Sequence, residues 1–385
     1  MPFLKTLLKY DNLWCSIMNF FNPYDIYPYQ LTSTIPSYDK PAFRKYKEHN
    51  YVYDKLFVAT SQGIMAGNLD ELNLNKLNTK NGNNIKFPIF IKPRWGHKSA
   101  TSKNCYKINN VDELNNYKHI KEMMWSEYID GTEGMTDFFM SNGQIIYQIT
   151  YKYSKEQRGY IEVWKYISSK NKPPDYVVNW IQIHLRTFTG PVNVQYRGDK
   201  IIEVGLRCAR GGAYINSTMN KTLIQNINNL IDNNDWNYSI DEKLEFEPFW
   251  SFKCYINIPL IYILPQYLLD LILQSNNVLP FYEYYFEPNG RHGMVFLQFL
   301  HKNFDQGIKL KNLMERIFYI LQYLFYILLV IAIILFVIDK KLCYSFVVVC
   351  LLIYLTQLLN PIIIIYNLYK IKRNMCINKF ICNNN

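Results

Sequence analysis

The sequence predicts an α+β fold with antiparallel strands, followed by a helical transmembrane hairpin. Two tight-turn signals, Asn142-Gly143 and Gly198-Asp199, lie between strand-like runs, as in β-hairpins. Helical patterns come between them without the strict alternation of a doubly wound parallel sheet. Near the C-terminus two long runs, Ile317–Ile338 and Leu342–Tyr366, carry no charged residue.

Taken in order, Met1–Pro41 is aromatic and punctuated by proline, and reads as a packing arm or irregular cap. Lys86–Lys92 (KFPIFIK) reads as a short buried strand. Asn110 is an N-cap followed by acids in the first turn, which predicts a helix to about Ile120. Met123–Ile129 reads as a strand. Thr136–Ser141 and Gln144–Lys152 form the first hairpin. Pro173-Pro174 open a helix over Pro174–Thr187, with Val177, Val178, Ile181 and Leu185 on its apolar side. Val192–Arg197 and Lys200–Leu206 form the second hairpin. Ser217–Ile231 reads as a helix with apolar Leu223, Ile224, Ile227 and Leu230. Trp250–Leu273 is apolar but holds Pro259, Pro265, Lys253 and Asp270. It reads as a packed helical segment or an in-plane membrane contact, with a third span as the alternative. Glu283–His292 is a polar turn. The chain divides into an arm (1–50), a folded domain (51–245), a helical or irregular connector (246–316), the hairpin (317–366) and a basic tail (367–385).

Each apolar run is long enough to cross a hydrocarbon core of about 30 Å. The short Asp339–Lys341 connection places both outer flanks on one side. Lys309, Lys311 and Arg316 precede the first run, and Lys370, Lys372, Arg373 and Lys379 follow the second. The positive-inside rule then puts both ends in the cytoplasm. Met1–Phe21 is interrupted by Lys5, Lys9 and Asp11 and does not read as a secretory signal. Eight scattered cysteines without a C-x-x-C pair argue against a zinc ribbon or a disulfide-stapled domain. The formal charge of +11 has much of its excess beside the spans, where anionic lipid is the expected partner; no nucleic-acid partner is expected.

No P-loop, G-x-G-x-x-G, H-E-x-x-H or G-x-S-x-G motif occurs. Four other groups stand out: Asp54-Lys55 before an apolar stretch, Lys92 at a strand end, Glu127 and Glu133 about a glycine turn, and Gln195 with Glu203 on the two arms of a hairpin. Arg207 and Arg210-Gly211-Gly212 follow the last group. Singly, each has an ordinary reading as a solvated side chain or flexible loop.

In series, these motifs resemble the ATP-grasp superfamily over about Tyr53 to Asn220. Tyr53–Lys55 (YDK) is similar to the family's first nucleotide lysine, and Phe87–Pro93 (FPIFIKP) to its second. Ser126–Glu133 (SEYIDGTE) resembles the hinge strand, and Gly190–Arg207 the metal hairpin. The resemblance implies an ATP-grasp-like two-subdomain fold, with ATP and Mg²⁺ as cofactors. Lys55 and Lys92 would hold phosphates, Glu127, Tyr128 and Ile129 would meet adenine, and Glu133 the ribose. Gln195 and Glu203 would face the metal. Arg207 and Arg210 would be catalytic, stabilising phosphoryl charge. Lysines on separate segments suit a polyphosphate, and Mg²⁺ needs few side-chain oxygens beside it. The implied activity is a membrane-anchored ligase that activates an unknown carboxylate as an acyl phosphate for attack by an amine. A degenerate module that only binds nucleotide or scaffolds at a membrane is the alternative. Two positions depart from the family pattern. Gly205 stands where the metal strand has an amide, and the phosphate loop at Gly96–Ser102 is poorer in glycine.

Overall fold

In the computed structural model, residues 27–72, 85–98, 104–158, 161–258, 266–276, 278–281, 285–286, 294–339, 341, 344 and 346–348 are described. Tyr29–Pro248 form one compact unit, and the described residues from Phe249 onward belong to a second.

The first unit begins with helix α1 (Asp39–Lys45) and a 3₁₀ turn at Asn50–Tyr53. Helix α2 (Lys55–Thr60) follows, capped by Asp54, whose carboxylate accepts the N–H of Leu56 at 3.0 Å. Strands β1 (Ala66–Asn68), β2 (Ile89–Pro93), β3 (Tyr106–Ile108) and β4 (Met123–Glu127) pair in the order β1-β4-β2-β3, antiparallel throughout. Their core joins Ile89, Ile91, Met123 and Trp125 to Leu114 of helix α3 (Val111–Asn115). Asn110 caps α3 as expected, accepting from the Glu113 N–H at 2.9 Å, but the helix stops at Asn115 rather than near Ile120. Asn115 and Asn116 have weak helical preference, and Tyr117 stacks on Tyr106 with ring centroids 4.2 Å apart.

The larger sheet of this unit contains β5 (Glu133–Ser141), β6 (Gln144–Tyr153), β9 (Trp164–Ser168), β10 (Gly190–Arg197) and β11 (Lys200–Gly205). A two-residue pair, β7 (Gln157–Arg158) and β8 (Ile161–Glu162), lies between β6 and β9 in sequence. The large-sheet order is β11-β10-β5-β6-β9, all antiparallel. Both hairpins turn where the sequence places them. Asn142 and Gly143 have φ of 47° and 79°, and Gly198 has φ of 58°, as primed turns require. Helix α4 (Asp175–His184) presses Val177 and Ile181, with Leu185 just beyond its end, into a core with Phe138, Val192, Val194 and Val204. The helix expected over Ser217–Ile231 begins only at Lys221, as α6 (Lys221–Asn233), and a separate short helix, α5 (Ala213–Asn216), precedes it. Met219 between them has φ of 54°, and Asn220 caps α6 by accepting from the Leu223 N–H at 3.0 Å.

The second unit corrects the reading of Trp250–Leu273 as one helical segment. Phe249–Ile256 is a strand, β12, with helix α7 at Gln266–Ser275; residues 259–265 lie outside the described set. Strand β15 (Met294–His301) pairs antiparallel with β12, β13 (Leu279–Phe281) and β14 (Tyr285–Phe286). Aromatic and β-branched side chains let β12 be buried on both faces. Its apolar pattern therefore carries no period to distinguish strand from helix. Apart from β14, the expected polar turn at Glu283–His292 lies outside the described residues.

Helix α8 (Phe304–Ile338) is, among the described residues, the one helix long and apolar enough to cross a membrane, with a mean hydropathy of 2.8 over its most apolar window. Its first half packs on the protein. Phe318 stacks on Phe296 at 4.0 Å, and Glu315 accepts from the Tyr255 N–H at 2.8 Å and from Lys311 at 2.7 Å. The first apolar run was expected to span from Ile317, yet Phe318 and Gln322 are buried. Broad exposure begins at Tyr323 and includes Ile327, Val330, Ile334 and Val337. The second run, Leu342–Tyr366, lies almost wholly outside the described residues, as do the basic tail and most of the N-terminal arm.

Candidate functional site

The two sheets of the first unit meet where their sequence-predicted residues converge. Asp54 both caps α2 and receives Arg94 in a two-pronged contact, Nε to Oδ1 at 2.9 Å and Nη2 to Oδ2 at 2.5 Å. The Lys55 N–H donates to the Arg94 carbonyl at 2.9 Å. The start of α2 is thereby tied to the end of β2, so Lys55 and Lys92 come from adjoining backbone. Lys55 is buried, and its Nζ lies 3.4 Å from Oε1 of Glu203 on β11. Nζ of Lys92 donates to the carbonyl of Ile202, also on β11, at 2.8 Å.

Burial, and then the charge of Lys55, lower the Lys92 pKa to about 8, against a smaller opposing pull from Glu203. The nearby Cys105 thiol is pushed up by burial, while both lysines draw it down. Gln195 and Glu203 are direct partners across the β10–β11 ladder. Arg207 donates through Nη2 to Asp39 at 2.8 Å and through Nη1 to the Cys208 carbonyl at 3.0 Å. Burial works against its charge, but Asp39, Tyr53 and Glu203 together outweigh this and the pKa rises. Gly96, in the 3₁₀ turn Gly96–Lys98, passes close to the site; a Cβ there would lie 3.3 Å from Oε1 of Glu203. Next to it, His97 stacks on Phe43 of α1 at 3.6 Å, and its buried Nδ1 has no hydrogen-bond partner among the described residues. The rest of the expected phosphate loop, residues 99–102, lies outside the described set.

The other expected residues form a neighbouring group. Glu133 pairs with Arg197 at 2.5 Å. Burial raises the Glu133 pKa and Arg197 pulls it back. Arg197 lies within electrostatic reach of both Tyr128 and Lys92, which connects the two groups. Lys107 sits 4.0 Å over the Tyr128 ring. The Glu127 side chain is exposed while its N–H donates to the Met65 carbonyl at 2.9 Å. Ile129 packs against the Ala59, Ile64 and Met124 cluster. Arg210 occupies a left-handed turn, φ 50° and ψ 38°, beyond Arg207. That turn is anchored by buried Asp137, which accepts from the Ala209 N–H at 2.9 Å, Asn193 at 2.8 Å and Tyr151 at 2.7 Å.

Sequence reasoning missed Asp39, Tyr53 as a site residue, Arg94, Arg197 and Asp137. One signal for Asp39 was present: the tripeptide Tyr38–Lys40 repeats at Tyr53–Lys55. Arg197 was visible as the last residue before the Gly198-Asp199 turn.

No family model matches the chain, and no curated protein matches it. Solved structures similar to it include an L-amino acid ligase from Bacillus licheniformis, 13% identical, with 68% of this chain and 70% of that one covered and a TM-score of 0.44. Another is a carboxyaminoimidazole ribonucleotide synthase from Aspergillus clavatus complexed with ATP, 11% identical, covering 71% and 77%, TM-score 0.47. A biotin carboxylase from Campylobacter jejuni is 12% identical, covers 69% of both chains and has a TM-score of 0.42. Identities of 11–13% at TM-scores below 0.5 assign no activity to this chain. The fold is α+β with antiparallel sheets, and in the order of its motifs the chain resembles the ATP-grasp superfamily.

Proposed function

We propose that the first unit binds ATP and serves an ATP- and Mg²⁺-dependent ligation, in which a carboxylate is activated as an acyl phosphate and attacked by an amine. The observation that carries this reading is the convergence of Lys55, Lys92 and Glu203 from three separate segments. Two lysines and Arg207 supply charge for a polyphosphate, and burial strengthens each contact relative to water. Lys92 would release the Ile202 carbonyl, or share its donors, to meet a phosphate oxygen. Lys55 would be held by Glu203 in the same place. Glu133, set by Arg197, is the carboxylate offered to ribose hydroxyls beside Tyr128. Arg207 would stabilise charge on the transferring phosphoryl group.

The donor set fits Mg²⁺. Among the described residues no group of three or more His, Cys, Asp or Glu side chains converges. Mg²⁺ takes one or two protein carboxylates and completes its shell with phosphate oxygens and water. Glu203, with a partly exposed carboxylate, and the Gln195 amide opposite it would hold the ion. The ion would supply charge neutralisation across the phosphates. The exposed apolar half of α8 supports an anchor in a lipid bilayer, with the second apolar run completing a two-span hairpin whose ends are cytoplasmic.

The test is ATP binding by the full chain in detergent, joined to ADP and phosphate release with panels of carboxylic acids and amines. Lys92→Ala is expected to abolish measurable binding and release. A Lys92→Ala protein that binds ATP like the parent would overturn the site. A second reading, a module that binds nucleotide without turnover, is favoured by Gly205, which offers no side-chain oxygen. Tight ATP binding with no release for any acid–amine pair would select it.

A further inference from the structure

Position 205 carries no side chain, and the space beside it is filled from elsewhere in the chain. A Cβ there would stand 2.9 Å from Oδ1 of Asp39, 3.8 Å from the Tyr53 ring and 3.9 Å from Cγ of Arg207. The other carboxylate oxygen of Asp39, Oδ2, accepts from Arg207 at 2.8 Å. The Tyr53 hydroxyl accepts the Leu206 N–H at 2.9 Å, and burial, followed by the nearby charge of Asp39, raises its pKa. Three successive residues leaving β11 are thus fastened to the segment that runs from α1 to α2. One gives room, one gives its N–H and one gives its guanidinium.

We propose that Asp39 is a positioning residue of the nucleotide site: through the gap at Gly205, α1 delivers a carboxylate that holds the Arg207 guanidinium for the terminal phosphate. The proposal rests on the nucleotide reading above and deepens it. An arginine side chain held by nothing carries much rotamer freedom, whereas one clamped by a carboxylate presents its planar fork ready-made. Among the described residues, Asp39 and the Cys208 carbonyl engage two of the five N–H donors of Arg207, leaving the others for an oxyanion. Both partners of the ion pair are about one-fifth exposed, so the contact is neither fully screened nor sealed from a ligand. Glycine at 205 is what admits this arrangement, because any side chain there meets the carboxylate.

The experiment measures MgATP and MgADP affinities of the full chain in detergent by calorimetry and follows their ratio. A held Arg207 acts on the phosphate that only ATP has. Asp39→Asn is expected to lower the preference for ATP about tenfold while ADP affinity stays nearly constant. Arg207→Ala should do the same, and the double variant should lose no more than Arg207→Ala alone. Gly205→Asp in an Asp39→Ala background returns a carboxylate close to Arg207 and is expected to recover part of the preference. Should Asp39→Asn fail to fold, Gly205→Ala displaces the same carboxylate by one methyl group and is expected to lower the ratio likewise. An unchanged ratio with only a lower melting temperature makes Asp39 a structural tie and overturns the proposal. A raised ratio also overturns it, because Asp39 then competes with phosphate for Arg207. A parent that binds ATP and ADP equally overturns it as well. A parent that binds neither nucleotide refutes the nucleotide reading itself, and the Asp39 role falls with it.

Discussion

Lys92 should make nucleotide affinity fall with pH in a range where ordinary lysines do not titrate. Its pKa is lowered to about 8 because burial and Lys55 disfavour the charged form. In the free protein, the charged fraction is then about nine-tenths at pH 7 and about one-tenth at pH 9. A polyphosphate binds the charged form, so affinity should drop about tenfold across that interval, about 1.4 kcal/mol. Proton uptake on binding should rise with pH, from about one-tenth of a proton at pH 7 through about a half at pH 8 to about nine-tenths at pH 9. Titrations at pH 7, 8 and 9, in buffers of different ionisation enthalpy, measure both effects. Lys92→Arg keeps its charge and should flatten the profile. The unbound protein carries the opposite sign: between about pH 8 and 10.5 the unfolded chain binds the extra proton, so this group's contribution to stability rises with pH. An affinity that stays constant from pH 7 to 9 in the parent, while Lys92→Ala abolishes binding, would refute the reasoning about Lys92.

Three other outcomes are expected. Burial raises the Asp137 pKa to about 6 despite donors from Tyr151, Ala209 and Asn193, so the folded protein binds more protons between about pH 4 and 6. Its contribution to stability should fall as pH rises through that window, by about 3 kcal/mol at most, and melting curves of the parent against Asp137→Asn should show a slope of that sign. Arg94→Ala removes the two-pronged hold on Asp54 and should cost about 1–3 kcal/mol in denaturant unfolding and weaken ATP binding through Lys55; unchanged binding would show that α2 needs no such tie. Cutting the chain after Gln322 should leave the Phe318–Phe296 stack intact, whereas cutting after Arg316 removes it and should lower stability by about 3–5 kcal/mol. Equal melting temperatures for the two truncations would contradict that packing.

The local chemistry of the chain was legible where it is local. The Asn142-Gly143 and Gly198-Asp199 turns need left-handed backbone, so the residue types themselves announce the hairpins. Asn110 as a cap was equally readable, while the early end of α3 was not, because Tyr117 answers to Tyr106 rather than to its own helix. Strand β12 was hidden by burial on both faces, which erases the alternation that marks a strand. Among site residues, Lys55, Lys92 and Glu203 sit beside recognisable turns and strand ends. Asp39 acts on Arg207 from 168 positions away, and Gly205 reads as a missing ligand until the carboxylate beside it is seen. Contacts of that range leave no periodic trace in a single sequence.

The most direct test is a structure of the full chain with Mg²⁺ and a non-hydrolysable ATP analogue. The phosphates are expected between Nζ of Lys55 and Nζ of Lys92, with Mg²⁺ on Glu203 and Arg207 at the terminal phosphate. A nucleotide bound away from both lysines, or a saturated crystal with none bound, would contradict the assignment.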